Sequence, residues 1–270
     1  MEKIRNPVVD GYFYPADKPS LLKMLKEYIK PFKEKHQAIS VICPHAGYIY
    51  SGRIAGSIYG RIEIPDNVII LGPNHHGFGE PFAVMEEGVW KTPLGDVEIN
   101  KILAGKIIEN SKYLQTDTLA HNQEHSLEVQ VPFLQYIKSN IKIVPIVLSG
   151  ALDSVAWDEI GNAISQGIKD YNEKVLIVAS SDFTHYETQQ TAEENDKYAM
   201  EAIISLNEDL FIERIAEKDI SICGYGSIIT AIIASKNLGA KNVEIIDYKT
   251  SGDITGDYQQ VVGYAGIIIR

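Results

Sequence analysis

The sequence has few cysteines and no long hydrophobic run. Its 270 residues include only two cysteines, Cys43 and Cys223, which lie far apart in the chain. In a reducing compartment such thiols are more often free or bound to a metal than joined in a structural disulfide. No apolar run approaches the ~18 residues of a membrane-spanning helix, and residues 1–7 lack the apolar centre of a signal peptide. These absences predict a cytoplasmic protein.

Positive charge is also scarce. The chain has 25 lysines and arginines against 36 acidic residues, which gives a formal net charge of −11 at pH 7. Nucleic acids and anionic membranes are bound through concentrated lysine and arginine, so we expect neither as a partner. A small-molecule or peptide ligand is the remaining expectation. The chain shows no linker or low-complexity tract, which predicts a single globular domain over residues 1–270.

Short apolar runs lead into histidine-bearing turns at three places. Residues 68–71 (VIIL) read as a buried strand that Gly72-Pro73 ends just before His75 and His76. Residues 38–43 lead into His45, and residues 175–179 lead into the segment that ends at His185. Strand and helix patterns alternate along the chain, which predicts an α/β fold with a largely parallel or mixed central sheet flanked by helices. Ligands bind at the carboxyl ends of such strands, so we expect the histidines to share one site.

A metal site is the sharpest interpretation of these residues. A lone histidine is usually structural, but His45, His75 or His76, and His185 are delivered to one predicted edge, and Cys223 lies in a glycine-rich turn that could join them. Neutral imidazole with a thiolate suits zinc, copper or ferrous iron. We also expect Cys223 to be reactive, because it begins a helix whose dipole would lower the pKa of the thiol.

Two acid and histidine pairs suggest proton chemistry around the metal. His185 is a candidate general acid or base, and Asp182, three residues earlier, would fix its tautomer or bind substrate. Glu124 and His125 would supply supporting hydrogen bonds to the ligands. The alternative for Glu124 is a carboxylate that favours a helix start. His76 is either a ligand or a support for His75.

The aromatic residues near the amino terminus have two interpretations. Tyr12 and Tyr14 belong either to a segment that packs on the core or to the wall of the ligand pocket. Tyr48, directly after the first histidine turn, is a further candidate for that wall.

The motifs together resemble the Memo family, in the same order and over nearly the whole chain. They are residues 11–14 (GYFY), 44–48 (PHAGY), 71–76 (LGPNHH), 90–94 (WKTPL), 124–126 (EHS), 180–185 (SSDFTH) and 222–224 (ICG).

The resemblance implies a fold and a set of roles. Memo proteins are similar in fold to the catalytic subunit of class III extradiol dioxygenases, which bind non-haem iron through two histidines and a glutamate. The resemblance to the Memo family implies that His45 and His75 take the two histidine positions of these dioxygenases and that Cys223 takes the glutamate position. It also implies that His185 is the acid/base histidine. The thiolate shifts the metal preference toward copper, zinc or a different iron chemistry. The expected function is therefore iron- or copper-dependent redox or oxygenase-type chemistry on a small substrate; the alternative is a non-catalytic protein that binds a peptide or small anion in the same cleft.

Overall fold

The computed structural model describes residues 3–149 and 154–270. The strands in these residues are β1 (Ile4–Arg5), β2 (Ser40–Cys43), β3 (Asn67–Pro73), β4 (Phe82–Val84), β5 (Val89–Thr92), β6 (Gly95–Ile99), β7 (Gln115–Thr116), β8 (Lys142–Leu148), β9 (Val175–Ser180), β10 (His185–Glu187), β11 (Val243–Thr250) and β12 (Val261–Ile269). The α-helices are α1 (Lys18–Tyr28), α2 (Tyr48–Tyr59), α3 (Lys101–Glu109), α4 (Val131–Ile137), α5 (Ser154–Tyr171), α6 (Gln189–Ile204), α7 (Glu208–Lys218), α8 (Tyr225–Asn237) and α9 (Gly252–Thr255). Short 3₁₀ helices cover Leu119–His121 and Glu128–Gln130.

One mixed sheet runs through the molecule. Its main path has the order β1-β5-β6-β8-β3-β9-β2-β12-β10, with β11 paired to β12 and β4 paired to β7 and β8. The central strands β8, β3, β9 and β2 are parallel neighbours, whereas β12 is antiparallel to β2. The prediction of a single-domain α/β fold with a mixed sheet flanked by helices is confirmed. The extent of the domain, residues 1–270, stays a prediction.

The central strands are apolar on both faces because helices cover both sides of the sheet. In β3, Ile69 and Leu71 pack into one cluster with residues of α3, α5 and α8. The alternate residues Val68 and Ile70 pack into a second cluster with α1, α2 and α4. Because side chains alternate along the strand, β3 contributes to one hydrophobic core on each face of the sheet. Within the described residues, no helix is both long and apolar enough to span a membrane.

Three local sequence patterns compare with the structure as follows. Residues 90–95 contain Pro93 and Gly95, which favour a loop, but residues 90–92 pair with residues 95–97 in the antiparallel β5–β6 hairpin, and only residues 93–94 form its turn. The apolar spacing over residues 152–168 predicts a helix, which is observed as α5, and residues 152–153 lie outside the described part of the chain. Pro145 predicts an edge strand or an irregular pairing, and the edge is wrong because β8 lies between β3 and two other strands. The pairing is irregular there: β6 pairs as far as Ile143 and β4 begins at Ile146, so the missing N–H of Pro145 falls between partners.

Candidate metal centre

Three neighbouring strands deliver the candidate residues to one edge of the sheet. β3, β9 and β2 are parallel and adjacent, so their carboxyl ends meet. His75 follows β3, Asp182 follows β9, and His45 follows β2. A cleft of about 680 Å³ opens at this edge, and its lining includes His45, His75, His125, Asp182, His185, Tyr12, Phe13, Ile49, Tyr50, Tyr186, Asp257, Val262 and Tyr264.

A cluster of three histidines forms the floor of the cleft. One ring nitrogen from each of His45, His75 and His125 lies within 4.8 Å of the others, close enough for all three to hold one metal ion. The rings of His75 and His125 are stacked with centroids 4.6 Å apart, and His45 meets both edge-on. The sequence predicts a supporting role for His125, whereas the structure places it among the possible ligands. Its adjacency to Glu124 in the sequence gave no sign of which of the two faces the metal.

His75 is held by the buried carboxylate of Glu124. The backbone N–H of His75 donates to Oε2 at 2.7 Å, and Nδ1 lies 2.8 Å from Oε1. Burial alone would raise the pKa of Glu124, but the hydrogen bond from His75 and that from the Ser126 N–H outweigh it and lower the pKa. Because an ionised carboxylate accepts only, Nδ1 carries the proton and Nε2 keeps its lone pair for a metal. The supporting role expected for Glu124 matches this geometry.

His45 is oriented by a buried network that the motifs did not reveal. The Ser180 hydroxyl donates to the Ser126 carbonyl at 2.6 Å and accepts from Gln130 Nε2 at 2.8 Å. Its one proton is therefore committed, and it accepts from Nδ1 of His45, 3.1 Å away. This fixes the tautomer of His45, with the proton on Nδ1 and the lone pair on Nε2. Ser180 lies at the end of β9 and Gln130 in a 3₁₀ helix, where each reads as an ordinary core polar residue.

Cys223 lies directly against the cluster. Its Sγ is 3.2 Å from Nε2 of His45 and accepts the backbone N–H of Asp182 at 3.3 Å. Gly224 occupies the cap position of α8, so Cys223 precedes the helix. Burial, followed by the charge of Asp182, raises the pKa of the thiol. The lowered pKa expected from the helix dipole is therefore wrong for the metal-free protein.

Asp182 and His185 line the same cleft but do not work as a pair. The Asp182 carboxylate accepts the backbone N–H of His45 at 2.7 Å, which fixes the first histidine turn. His185 Nδ1 lies 2.8 Å from the Ser221 carbonyl, an acceptor only, so Nδ1 carries the proton. Ser221 rather than Asp182 sets the tautomer of His185. The free Nε2 of His185 is available for proton transfer.

The remaining candidates separate into exposed and buried residues. Tyr12 is 89% exposed at the mouth of the cleft. Tyr14 and Tyr48 lie in the core instead, where their hydroxyls donate to Glu128 at 2.6 Å and to the Val129 carbonyl at 2.7 Å. Their rings fill space between the amino-terminal segment and α4, so they do not wall the cleft. His76 is exposed and stacks on Phe78 outside the cleft lining.

Two histidines of the cluster, His45 and His125, are uncharged at neutral pH. Burial, then the neighbouring His75, lowers the pKa of His45 to about 3. Burial, then His45, lowers the pKa of His125 to about 4. Neutral imidazoles need lose no proton before they bind a metal, so the site is prepared for a cation.

Comparison with known proteins identifies the family. The model of the family described as Memo-like protein matches residues 5–268. The chain belongs to the Memo family. Its relatives include a MEMO1 family protein of Nitrosopumilus maritimus, 44% identical over 98% of both chains, and one of Methanococcoides burtonii, 43% identical over 99% of this chain and 100% of the relative. The resemblance inferred from the motifs is confirmed.

A solved structure of more distant sequence shares the fold. The structure of an uncharacterized protein JW3007 from Escherichia coli K12 is similar, with a TM-score of 0.58, over 86% of this Memo chain and 100% of that chain. Its sequence identity is 13%, so the likeness concerns the fold alone.

The Memo site leads to a first prediction, on Glu124. Glu124→Gln removes the charge that holds Nδ1–H of His75 and makes Nε2 a weaker ligand. We expect metal affinity to fall by about 10–100-fold, the usual effect of losing such a partner. Competition with a metal indicator measures it, and Glu80→Gln, at an exposed position, is the control. Equal affinity of Glu124→Gln and wild type would show that this carboxylate does not tune the site.

A second prediction concerns acid stability of the metal-free Memo protein. Burial, then Arg5, lowers the pKa of His121 to about 3, and burial also lowers the pKa values of His45 and His125. The unfolded chain takes up these protons near pH 6.5, so the free energy of unfolding should fall as pH drops from about 6.5 to 4, by about 1.4 kcal/mol per pH unit for each histidine. Buried Asp182 and Asp196, whose pKa values are raised by burial, offset part of this at the acid end.

His121 provides the test because it lies outside the cluster. Urea unfolding at several pH values gives the free energy of unfolding at each pH. For His121→Phe this free energy should fall less steeply between about pH 6.5 and 4 than for wild type, by about the contribution of one histidine. If the free energy of unfolding of His121→Phe changes with pH as steeply as that of wild type, the lowered pKa of His121 is contradicted.

Proposed function

We propose that this chain is a metal-dependent Memo protein whose cleft performs redox or oxygenase-type chemistry on a small substrate. His45 and His75 bind the metal through Nε2, and Cys223 is the anionic ligand. His125 completes the set or exchanges with the thiolate. The observation that carries the proposal is the geometry of the cluster: three ring nitrogens lie within 4.8 Å of one another.

The donor atoms suit iron, copper or zinc, and the proposed redox chemistry selects iron or copper among them. Both Nδ1 atoms of His45 and His75 are committed to hydrogen bonds, which leaves Nε2 as the free donor. A thiol 3.2 Å from one of these nitrogens adds a soft ligand, which favours copper, zinc or iron over magnesium or calcium. Because burial raises the pKa of Cys223 in the metal-free state, a cation would have to displace the thiol proton into solvent, and metal affinity should fall as pH drops. Iron or copper would supply one-electron and dioxygen chemistry here, and zinc would not.

Residues around the cluster hold the proposed ligands in place and provide a group for proton transfer. Asp182 holds the backbone turn that carries His45, and Glu124 holds His75, so two ligands sit on fixed supports. The free Nε2 of His185 lies in the same cleft and moves a proton to or from the bound substrate. In this proposal the ligands are small molecules or peptides, and neither nucleic acid nor membrane is a partner. The proposed compartment is the cytoplasm.

A non-catalytic binding protein is the second candidate. It is favoured by the exposed aromatic residues at the mouth, Tyr12 and Tyr186, which supply contact area without any need for a metal.

Metal analysis after anaerobic purification separates the two. We expect about one iron or copper per chain in wild type, and Cys223→Ser should lose affinity by at least about tenfold, as expected for removal of a ligand. Cys43→Ala is the matched control, because Cys43 is a buried thiol in β2 outside the cluster. Wild type that stays metal-free even after anaerobic reconstitution, yet binds peptide tightly, supports the binding protein.

A further inference from the structure

The walls of the cleft carry information about the ligand that the metal cluster does not. Four of the large exposed hydrophobic side chains lie in its lining: Tyr12, Ile49, Tyr50 and Tyr186. Exposed apolar residues scattered singly are ordinary, but a group of them around one cleft marks a ligand or partner surface. Three of the four are phenols, which combine an apolar ring with a polar hydroxyl.

Tyr186 is held in a strained conformation at this mouth. Its φ of 61° is in the left-handed region, which an aromatic residue rarely adopts. The pairing of β10 with β12 shifts register between His185 and Glu187, so Tyr186 is the extra residue of a bulge. Its ring remains 74% exposed and lies 5.9 Å from that of His185. The strain therefore does not serve burial, and strained residues of this kind concentrate at ligand sites.

Aromatic side chains stand beside two different histidines of the cleft. Phe13 meets His125 edge-on at 4.9 Å, and Tyr186 tilts against His185. Tyr264 is buried in the wall, where burial, then Asp182, raises the pKa of its phenol and keeps it neutral. A flat ring placed over the metal would therefore find aromatic contacts near both the metal cluster and the acid/base histidine.

The charges of the walls favour a positive group on the ligand. Among the cleft-lining residues that the structure describes there is no lysine or arginine, whereas Asp182 and Asp257 are both present. A carboxylate or phosphate on the ligand would meet acidic and phenolic groups and no cation apart from a bound metal. An ammonium group gains from Asp257 and from the faces of the tyrosine rings.

We propose that the cleft binds an aromatic amine, with its ring among the tyrosines and its ammonium group toward Asp257. The proposal rests on the proposed function only in placing the reacting end of the ligand over the metal. The selectivity of the walls is independent of the metal.

A matched series of phenols tests the charge preference. Tyramine, tyrosol and 4-hydroxyphenylacetate share one ring and carry a positive, neutral and negative group. Titration by calorimetry at pH 7 and about 0.1 M salt, where charges in a cleft are only partly screened, should give the lowest Kd for tyramine and a Kd about tenfold or more higher for the acid. An acid that binds as tightly as the amine, or no binding of tyramine at millimolar concentration, would overturn the proposal.

Variants of the walls show where the probes bind. Asp257→Asn should reduce the preference of tyramine over the acid by about threefold to tenfold, as expected for one charge in a partly screened cleft, and Asp209→Asn on α7 should leave it unchanged. Tyr186→Leu should weaken all three probes by about threefold to tenfold, because it removes a ring contact and leaves the charge. Phe32→Leu, at an exposed aromatic residue outside the cleft, is its control. Unchanged selectivity in Asp257→Asn would contradict the orientation proposed for the ammonium group.

The same samples keep this proposal separate from the metal proposal. Metal content is measured in each preparation, and the titrations are run on the full-length protein as purified and again after chelation. An amine preference in protein that never binds metal would leave the wall selectivity standing and refute the metal function. Metal bound in the purified protein, together with tighter binding of the acid than of the amine after chelation, would support the metal site and refute the amine preference of the walls.

Discussion

Replacement of His185 by alanine should lower turnover of a cognate substrate by about 10²–10⁴ while leaving metal content unchanged, because a positioned acid or base contributes that much. His185 lines the cleft, and its Nδ1 is committed to the Ser221 carbonyl, so only Nε2 can exchange protons with substrate. It is not among the three histidines whose ring nitrogens cluster. Parallel assays of turnover and metal content measure the two effects.

His45→Ala is the comparison that gives this result its meaning. His45 is a proposed ligand, so its removal should lower metal affinity and activity together. Loss of metal in His185→Ala to the same degree as in His45→Ala would make His185 a ligand. Turnover retained in His185→Ala would remove its acid/base role.

The second large effect concerns stability rather than chemistry. Glu128 is 1% exposed and accepts from Arg5 Nη1 at 2.7 Å, from the Val8 N–H at 2.9 Å and from the Tyr14 hydroxyl at 2.6 Å. Glu128→Ala leaves the buried Arg5 charge without its carboxylate and removes the acceptor of three other donors, the Val8 and Val9 N–H groups and the Tyr14 hydroxyl. We expect the free energy of unfolding to fall by about 3–5 kcal/mol, as for a broken buried ion pair. Urea denaturation measures it.

The matched control is an ion pair at the surface. Glu87 and Lys101 pair at 2.5 Å with both side chains well exposed. Glu87→Ala should therefore cost at most about 1 kcal/mol. Similar losses for Glu87→Ala and Glu128→Ala would show that the Glu128 network does not anchor the amino-terminal segment. That segment matters for the site, since it carries Phe13, which packs against His125.

The position of the site follows from short-range sequence signals. Residues 68–71 are apolar throughout because β3 is buried on both faces, and Gly72-Pro73 follows directly. A strand of this kind belongs in the middle of a parallel sheet, so the turn after it faces the ligand edge. The same reasoning points to His45 after β2 and to His185 after β9, and both line the cleft together with Asp182.

The orientation of individual side chains could not be derived in this way. Tyr12 and Tyr14 are two residues apart, yet one is exposed at the cleft and the other donates to buried Glu128. That difference depends on a contact across more than a hundred residues. Cys223 is a similar case. Its Sγ contacts His45 and the backbone N–H of Asp182, which lie in the turns after β2 and β9. Burial, followed by the charge of Asp182, raises the pKa of the thiol, which opposes the effect of the local helix.

Anomalous diffraction from crystals grown with iron or copper would locate the metal on the chain. We expect one peak in the cleft, about 2.0–2.3 Å from Nε2 of His45 and of His75 and from Sγ of Cys223 or a ring nitrogen of His125. A saturated crystal without a peak there, or with its metal bound elsewhere on the chain, would show that these residues do not form a metal centre.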